Sequence, residues 1–281
     1  MSLLQFDFES QYLNNNTTIS VILPDRPKSM DAEDFYGSGK KYKVLWLLHG
    51  TFGDHSDWVR KSMIEIYARE KNLICVMPSG MNADYVSWPK FGLGYDVESH
   101  IIKELRPMIY HWFPASDKRE DNFIAGLSMG GDGAFGLAMK HPECFGGVAV
   151  LSGIRGCVAE ADWEGTDTNP RGLTINNPRF INQVENAGGR EAFVKNYDYQ
   201  RMMFELYEQG KLPNMIFGCG TKDPGYENYC KFRDKCQKKG IPAVFEELPD
   251  LGHEWRFWDP FIQIALRFFK LETDCEKQTL L

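Results

Sequence analysis

Short apolar runs that stop at glycine or proline recur along the chain. Val44-Leu45-Trp46-Leu47-Leu48 ends at His49-Gly50, and Ile74-Cys75-Val76-Met77 ends at Pro78. Phe123-Ile124-Ala125 ends at Gly126, Val148-Ala149-Val150-Leu151 at Ser152-Gly153, and Met215-Ile216-Phe217 at Gly218. Runs without polar alternation suit strands covered on both faces, as in a parallel sheet. Residues 3–9 and 17–23 alternate loosely and predict an antiparallel edge pair. Between the runs lie helical periodicities over 56–71, 95–113, 128–140, 227–239 and 259–271. Strand and helix alternate, which predicts a mostly parallel, doubly wound α/β sheet with right-handed crossovers. Two stretches break the alternation. Residues 25–41 are rich in Pro, Gly and charge and predict a surface loop. Residues 155–213 are long and polar, with a helical pattern near 190–209, and predict a cap inserted into one domain spanning 1–281.

Composition narrows the classes. Across 281 residues, 43% are hydrophobic and 25% charged, which excludes a disordered or collagenous chain. A body of this size buries about three quarters of its unfolded surface and needs no staple. The formal net charge of −7 gives no general attraction to nucleic acid or to an anionic membrane. Seven cysteines, an odd number with no CxxC pair, speak against a zinc site or disulfide framework and fit reduced thiols in the cytoplasm. Asp7 and Glu9 interrupt the N-terminal segment, so no signal peptide is expected, and no window approaches about 18 uninterrupted apolar residues.

The candidate chemistry starts at Gly126-Leu127-Ser128-Met129-Gly130. The G-x-S-x-G spacing is common, but here it follows an apolar strand and opens a helical pattern. That is the strand–turn–helix setting that presents a serine at a tight bend. A serine nucleophile needs a base. In the order nucleophile, acid, base, only His141 and His253 follow Ser128. His141 lies at the far end of the same helix, about 20 Å away, which leaves His253. The acid is expected just beyond an intervening strand, where Gly218-Cys219-Gly220-Thr221-Lys222-Asp223 places Asp223. Glu227 is its nearest rival, with Asp250 and Asp198 behind. The oxyanion donors are expected to be the N–H of Met129 and an N–H from the His49-Gly50-Thr51-Phe52-Gly53 loop, Thr51 before Phe52. His49 is expected to hydrogen-bond beneath that loop. The loop after Pro78 lies on the carboxyl side of the sheet, where Tyr85 and Trp88 are candidate pocket residues alongside ordinary loop packing. Phe52 and Trp255 are further substrate-binding candidates, and Trp258 is read as core.

These residues carry a resemblance. "LWLLHGTFGDHSDW", "FIAGLSMGGDGAF", "HPECFGGVAVLSG", "GCGTKD" and "LGHEWRFWD" run in order from about residue 40 to 270. Together they resemble the α/β-hydrolase esterases grouped with esterase D, which include tributyrin, feruloyl and acetyl-xylan esterases, S-formylglutathione hydrolase and mycolyltransferases. The resemblance implies an α/β-hydrolase fold, a Ser128–Asp223–His253 triad and no cofactor or metal. Trp58 matches an aromatic that follows the oxyanion loop in these esterases. The implied activity is a serine carboxylesterase acting on small acyl esters, acetyl, butyryl or cinnamoyl, free or saccharide-linked. The alternative is a thioesterase or acyltransferase on the same triad, and the third reading is an inactive hydrolase-fold binding protein. No nucleic-acid or membrane partner is expected, and a homo-oligomer stays open.

Overall fold

The computed structural model describes residues 2–90, 94–154, 156–168 and 172–271. Ten strands form. They are β1 (Ser2–Ser10), β2 (Asn15–Leu23), β3 (Val44–Leu48), β4 (Ile74–Pro78), β5 (Ser87–Trp88), β6 (Tyr95–Asp96), β7 (Asn122–Leu127), β8 (Gly147–Leu151), β9 (Asn214–Gly220) and β10 (Ala243–Leu248). Eight of them make one sheet in the order β1-β2-β4-β3-β7-β8-β9-β10, and β5 and β6 form a separate two-stranded ladder. The first hairpin and the β2–β4 pair are antiparallel, and every later pairing in the large sheet is parallel.

Side-chain alternation on the central strands divides the core in two. Val44, Trp46 and Leu48 point to one cluster with Ile124, Val148, Val150, Met215 and Phe217. Leu45 and Leu47 point to the other with Phe123, Ala125, Ala149 and Ile216. Both faces therefore need a helical layer, which is why the runs read as continuously apolar. The helices are α1 (Ala32–Tyr36), α2 (Asp57–Lys61), α3 (Ile64–Glu70), α4 (Val97–Ser99), α5 (Arg106–Trp112), α6 (Met129–Lys140), α7 (Pro178–Ala187), α8 (Arg190–Tyr197), α9 (Tyr199–Glu208), α10 (Tyr226–Lys238) and α11 (Trp255–Phe268). The residues of α4, α5, α6, α9 and α10 fill the first cluster, and those of α2, α3 and α11 fill the second.

Several boundaries differ from the periodicity. The helix expected over 56–71 is two helices. Ser62 takes an extended conformation, its hydroxyl donates to the Trp58 carbonyl at 2.5 Å, and the same hydroxyl accepts from Ile64 N at 3.2 Å. One serine thus ends α2 and starts α3. The helix expected from 95 begins at Val97, because Tyr95 and Asp96 pair with β5 and the Asp96 carboxylate caps Ser99 N at 2.9 Å. It continues as a π-helical stretch, His100–Leu105, into α5. The last helix begins at Trp255 and runs through Pro260, since Phe257, Phe261, Ala265 and the residues beside them keep one buried face. The 25–41 loop carries α1, capped by Asp31. The 155–213 segment carries α7, α8 and α9, of which α7 was not foreseen. Arg155, residues 169–171, residues 91–93 of the 79–95 loop and Cys275 lie outside the described residues.

The π-helical stretch holds a fully buried imidazole. His100 Nδ1 meets Glu104 Oε2 at 2.6 Å and Ser10 Oγ at 3.1 Å, and its ring stacks on Phe8. Burial outweighs the carboxylate and sets its pKa below the ordinary histidine value. His49, also buried, is shifted down for the same first reason. Both rings stay neutral in the folded chain at a pH where the unfolded chain binds a proton. Folding stability therefore falls as pH drops below about 6.5. Thermal melts across that range should show Tm decreasing towards acid, and His100→Gln should flatten part of the slope. A Tm that rises towards acid would contradict this.

Candidate active site

In a parallel sheet the carboxyl ends of the strands share one edge, and the loops after β3, β7, β9 and β10 meet there. Strand β7 runs through Leu127, and α6 begins at Met129. Ser128 between them has φ 53° and ψ −120°, and its N–H donates to Leu151 O at 2.8 Å. This is a strained, left-handed bend for a residue with a Cβ. The flanking glycines make it sterically feasible. A Cβ on Gly126 would lie 2.1 Å from Gly130 O, and one on Gly130 would lie 2.5 Å from the Leu48 and His49 carbonyls.

Three residues from three different loops converge. Ser128 Oγ lies 2.8 Å from His253 Nε2, and His253 Nδ1 lies 2.8 Å from Asp223 Oδ2. Asp223 Oδ1 accepts from Gly225 N at 2.7 Å. The loops after β9 and β10 are stitched together by Thr221 N to Leu248 O, Lys222 N to Leu251 O and Asp250 N to Thr221 Oγ1, which brings the carboxylate to the imidazole. Asp223 is buried, which raises its pKa. Hydrogen bonds from His253, Gly225 N–H and Ser152 reverse that and hold it below the usual carboxylate value. The group is therefore a carboxylate at neutral pH. The rivals sit elsewhere. Glu227 is exposed and pairs with Lys231 at 2.6 Å, Asp250 is exposed and pairs with Lys222 at 2.8 Å, and Asp198 caps Arg201 N at 3.1 Å.

The loop after β3 lies against the serine, since a Cβ on Gly50 would be 3.4 Å from Ser128 Cβ. Among the described residues, the N–H groups of Thr51 and Met129 have no hydrogen-bond acceptor. The Phe52 N–H is occupied by Asn82 Oδ1 at 2.8 Å. His49 lies beneath the loop, where its Nδ1–H donates to Gly50 O at 2.7 Å and its Nε2 accepts from Gly80 N at 2.8 Å. Phe52 has φ 66° and is 92% exposed beside this loop. Tyr85 is buried, with its hydroxyl donating to His49 O at 3.0 Å, so it supports the loop. Trp88 donates from Nε1 to Ala83 O, stacks on Tyr197 and lines a groove of about 580 Å³ with Asn82, Tyr95, Arg179 and Asn186. Trp255 packs edge-on against Trp58 and Trp258, away from that groove.

Two contributors were not singled out from sequence. Ser152, left-handed at φ 52° after β8, hydrogen-bonds Asp223 and accepts from Trp258 Nε1 at 3.2 Å. Trp258 also places its ring edge-on to His253 at 5.1 Å. A serine directly after a parallel strand is the signal that marks Ser152. Nothing local marks Trp258. Among the described residues no group of three or more His, Cys, Asp or Glu is arranged to hold a metal ion. Activity is accordingly expected to survive EDTA. Inactivation that zinc or calcium reverses would show a site misread.

The arrangement can deliver an activated hydroxyl to a carbonyl and hold the resulting oxyanion. Comparison with known proteins agrees with that chemistry: residues 10–215, well over half of the chain, match Esterase. The chain belongs to the Esterase family. An acetyl esterase of Caldicellulosiruptor saccharolyticus is 29% identical to this esterase over 278 residues, 98% of this chain and 100% of the relative. Esterase Rv1288 of Mycobacterium tuberculosis is 31% identical over 272 residues, which span 89% of this chain and 55% of the relative. Among solved structures, S-formylglutathione hydrolase (FrmB) from Staphylococcus aureus matches with a TM-score of 0.74 and 26% identity, covering 95% of this chain and 98% of that one. The esterase has the α/β-hydrolase fold and is a carboxylic ester hydrolase. No helix among the described residues is long and apolar enough to cross a membrane.

Proposed function

We propose that the esterase hydrolyses small acyl esters, acetyl esters foremost, through an acyl-enzyme on Ser128. The observation that carries this reading is the unbroken chain Ser128 Oγ–His253 Nε2 and His253 Nδ1–Asp223 Oδ2, each 2.8 Å, at a strained elbow. Ser128 Oγ attacks the ester carbonyl carbon as His253 Nε2 takes its proton. Asp223 orients the ring and stabilises the imidazolium. The carbonyl oxygen becomes an oxyanion facing the N–H groups of Thr51 and Met129, with the start of α6 adding its dipole. The alcohol leaves with the proton from His253, and water repeats the sequence on the acyl-enzyme. The preference for acetyl is supported by the full-length relative, an acetyl esterase. The exposure of Phe52 in the oxyanion loop and the place of Trp88 in the groove beside it support a substrate-binding role for these two side chains, and the 155–213 segment is read as a cap. The six described cysteines are all free, which supports a cytoplasmic location.

The likeness to an S-formylglutathione hydrolase favours a second reading, a thioester in place of the oxygen ester. A panel of p-nitrophenyl acetate, butyrate and ferulate beside S-formylglutathione separates the two. The primary reading predicts the highest kcat/KM on the acetate. A thioester preferred over every oxygen ester would replace it. A fluorophosphonate should label Ser128 under either reading, and a folded enzyme that takes no label would be a binding protein.

A further inference from the structure

The cap reaches the oxyanion loop through Arg179. Helix α7 opens at Pro178, with Asn177 capping Arg179 N at 3.0 Å, so Arg179 stands in its first turn. A cation there opposes the helix dipole, so a compensating anion beside it is favourable. Asp84 supplies that anion: Arg179 Nη2 donates to Asp84 Oδ1 at 2.8 Å, and Gln183, one turn on, donates to Asp84 Oδ2 at 2.5 Å. Arg179 Nη1 reaches Thr51 Oγ1 at 3.4 Å. Asp84 is buried and, with Tyr85, lies in the left-handed region at φ 54° and 59°. The same 79–88 loop grips the oxyanion loop at three further points. Tyr85 OH donates to His49 O, Gly80 N donates to His49 Nε2, and Asn82 Oδ1 accepts from Phe52 N. Phe52, itself left-handed at φ 66°, follows Thr51 directly.

We propose that Arg179 is a positioning residue of ester hydrolysis, which acts through Asp84 and Thr51 to hold the 49–53 loop in the conformation that presents its oxyanion donor. The cap thereby sets the rate of the chemical step as well as the shape of the groove beside it. The guanidinium lines that groove and keeps 44% of its side chain exposed, so its removal leaves little buried volume empty. The inference rests on Thr51 as an oxyanion donor in the reading proposed above.

The test separates positioning from packing. Arg179→Ala should lower kcat on p-nitrophenyl acetate by about 10- to 100-fold with KM within about twofold, because a small displacement of a preorganised donor costs that much. An aryl trifluoromethyl ketone reads the hole directly. Ser128 Oγ adds to its carbonyl carbon, the oxygen becomes the oxyanion, and the serine proton passes to His253 Nε2. Its affinity should fall by the same factor as kcat. Arg179→Met, which keeps the aliphatic stem, should behave like Arg179→Ala and serves if the latter folds poorly. Arg179→Lys should restore only part, since an ammonium pairs with Asp84 but lacks the planar fork. Adding Asp84→Asn to Arg179→Ala should cost little more, because both lie on one path. The inference is overturned if a folded Arg179→Ala or Arg179→Met keeps kcat and ketone affinity within about twofold, whether or not its Tm drops. If Ser128→Ala also keeps its turnover, the underlying reading has failed instead.

Discussion

Ser128→Ala should fold normally and lose activity on p-nitrophenyl acetate by about 10⁴-fold or more. The size of the loss follows from the elbow. Among the described residues Ser20 Oγ also lies 2.8 Å from an imidazole nitrogen, that of His55, but it sits inside β2, whereas Ser128 stands at the start of α6. Removing Oγ removes the atom that forms the acyl bond, and His253 is left with no proton to accept. Folding should be spared because alanine has the same Cβ as serine. The left-handed backbone at φ 53° is held by its surroundings, Ser128 N to Leu151 O and the close approach of Gly130 to β3, none of which uses the hydroxyl. Circular dichroism and Tm should match wild type. Activity above a tenth of wild type would remove Ser128 from the mechanism.

Asp223→Asn should come close to that loss, about 10⁴-fold in kcat, with binding little changed. The hydrogen bonds explain why an isosteric change is so costly. Gly225 N–H points at Oδ1 and requires an acceptor there. Asparagine therefore keeps its carbonyl oxygen on that side and turns its NH₂ towards His253 Nδ1. Nδ1 must then accept, the ring carries its proton on Nε2, and Nε2 can no longer take the proton of Ser128. The carboxylate's lowered pKa belongs to the same network, so the charge that stabilises the imidazolium is present at any pH above the ordinary carboxylate range. Glu227→Gln should be nearly silent, because its carboxylate faces solvent and pairs with Lys231 one turn along the same helix. If Glu227→Gln is crippling and Asp223→Asn is mild, the acid has been assigned to the wrong residue.

The parts of this molecule that were legible in its sequence are those whose signals are local. Each core strand announces itself because a strand covered on both faces has no polar positions, and Val44-Leu45-Trp46-Leu47-Leu48 divides between the two clusters. Ser128, His253 and Asp223 stand out because each follows a strand at the carboxyl edge, where the chain must turn. Helix α7 was missed because its signals, Asn177 and Pro178, also read as loop punctuation. The break at Ser62 was missed because a serine's bond to a carbonyl four residues back leaves the apolar period intact. The supports of the site were less legible still. Arg179 and Asp84 are 95 positions apart, and Trp258 and Ser152 are 106 apart. Neither pair has a spacing rule, since the cap and the last helix bring them together only once the sheet is formed. Trp255 is the instructive case: beside His253 in sequence it reads as a pocket residue, but its helix turns it onto Trp58 and leaves Trp258 at the histidine.

The central claim is that Ser128 carries the acyl group, and acid-quenched peptide mass spectrometry during turnover of p-nitrophenyl acetate tests it most directly. Wild-type enzyme should yield the acetylated Ser128 peptide within the first turnover, and Ser128→Ala should yield none while its activity is lost. Acetyl found on another residue, with turnover retained in Ser128→Ala, would contradict the account.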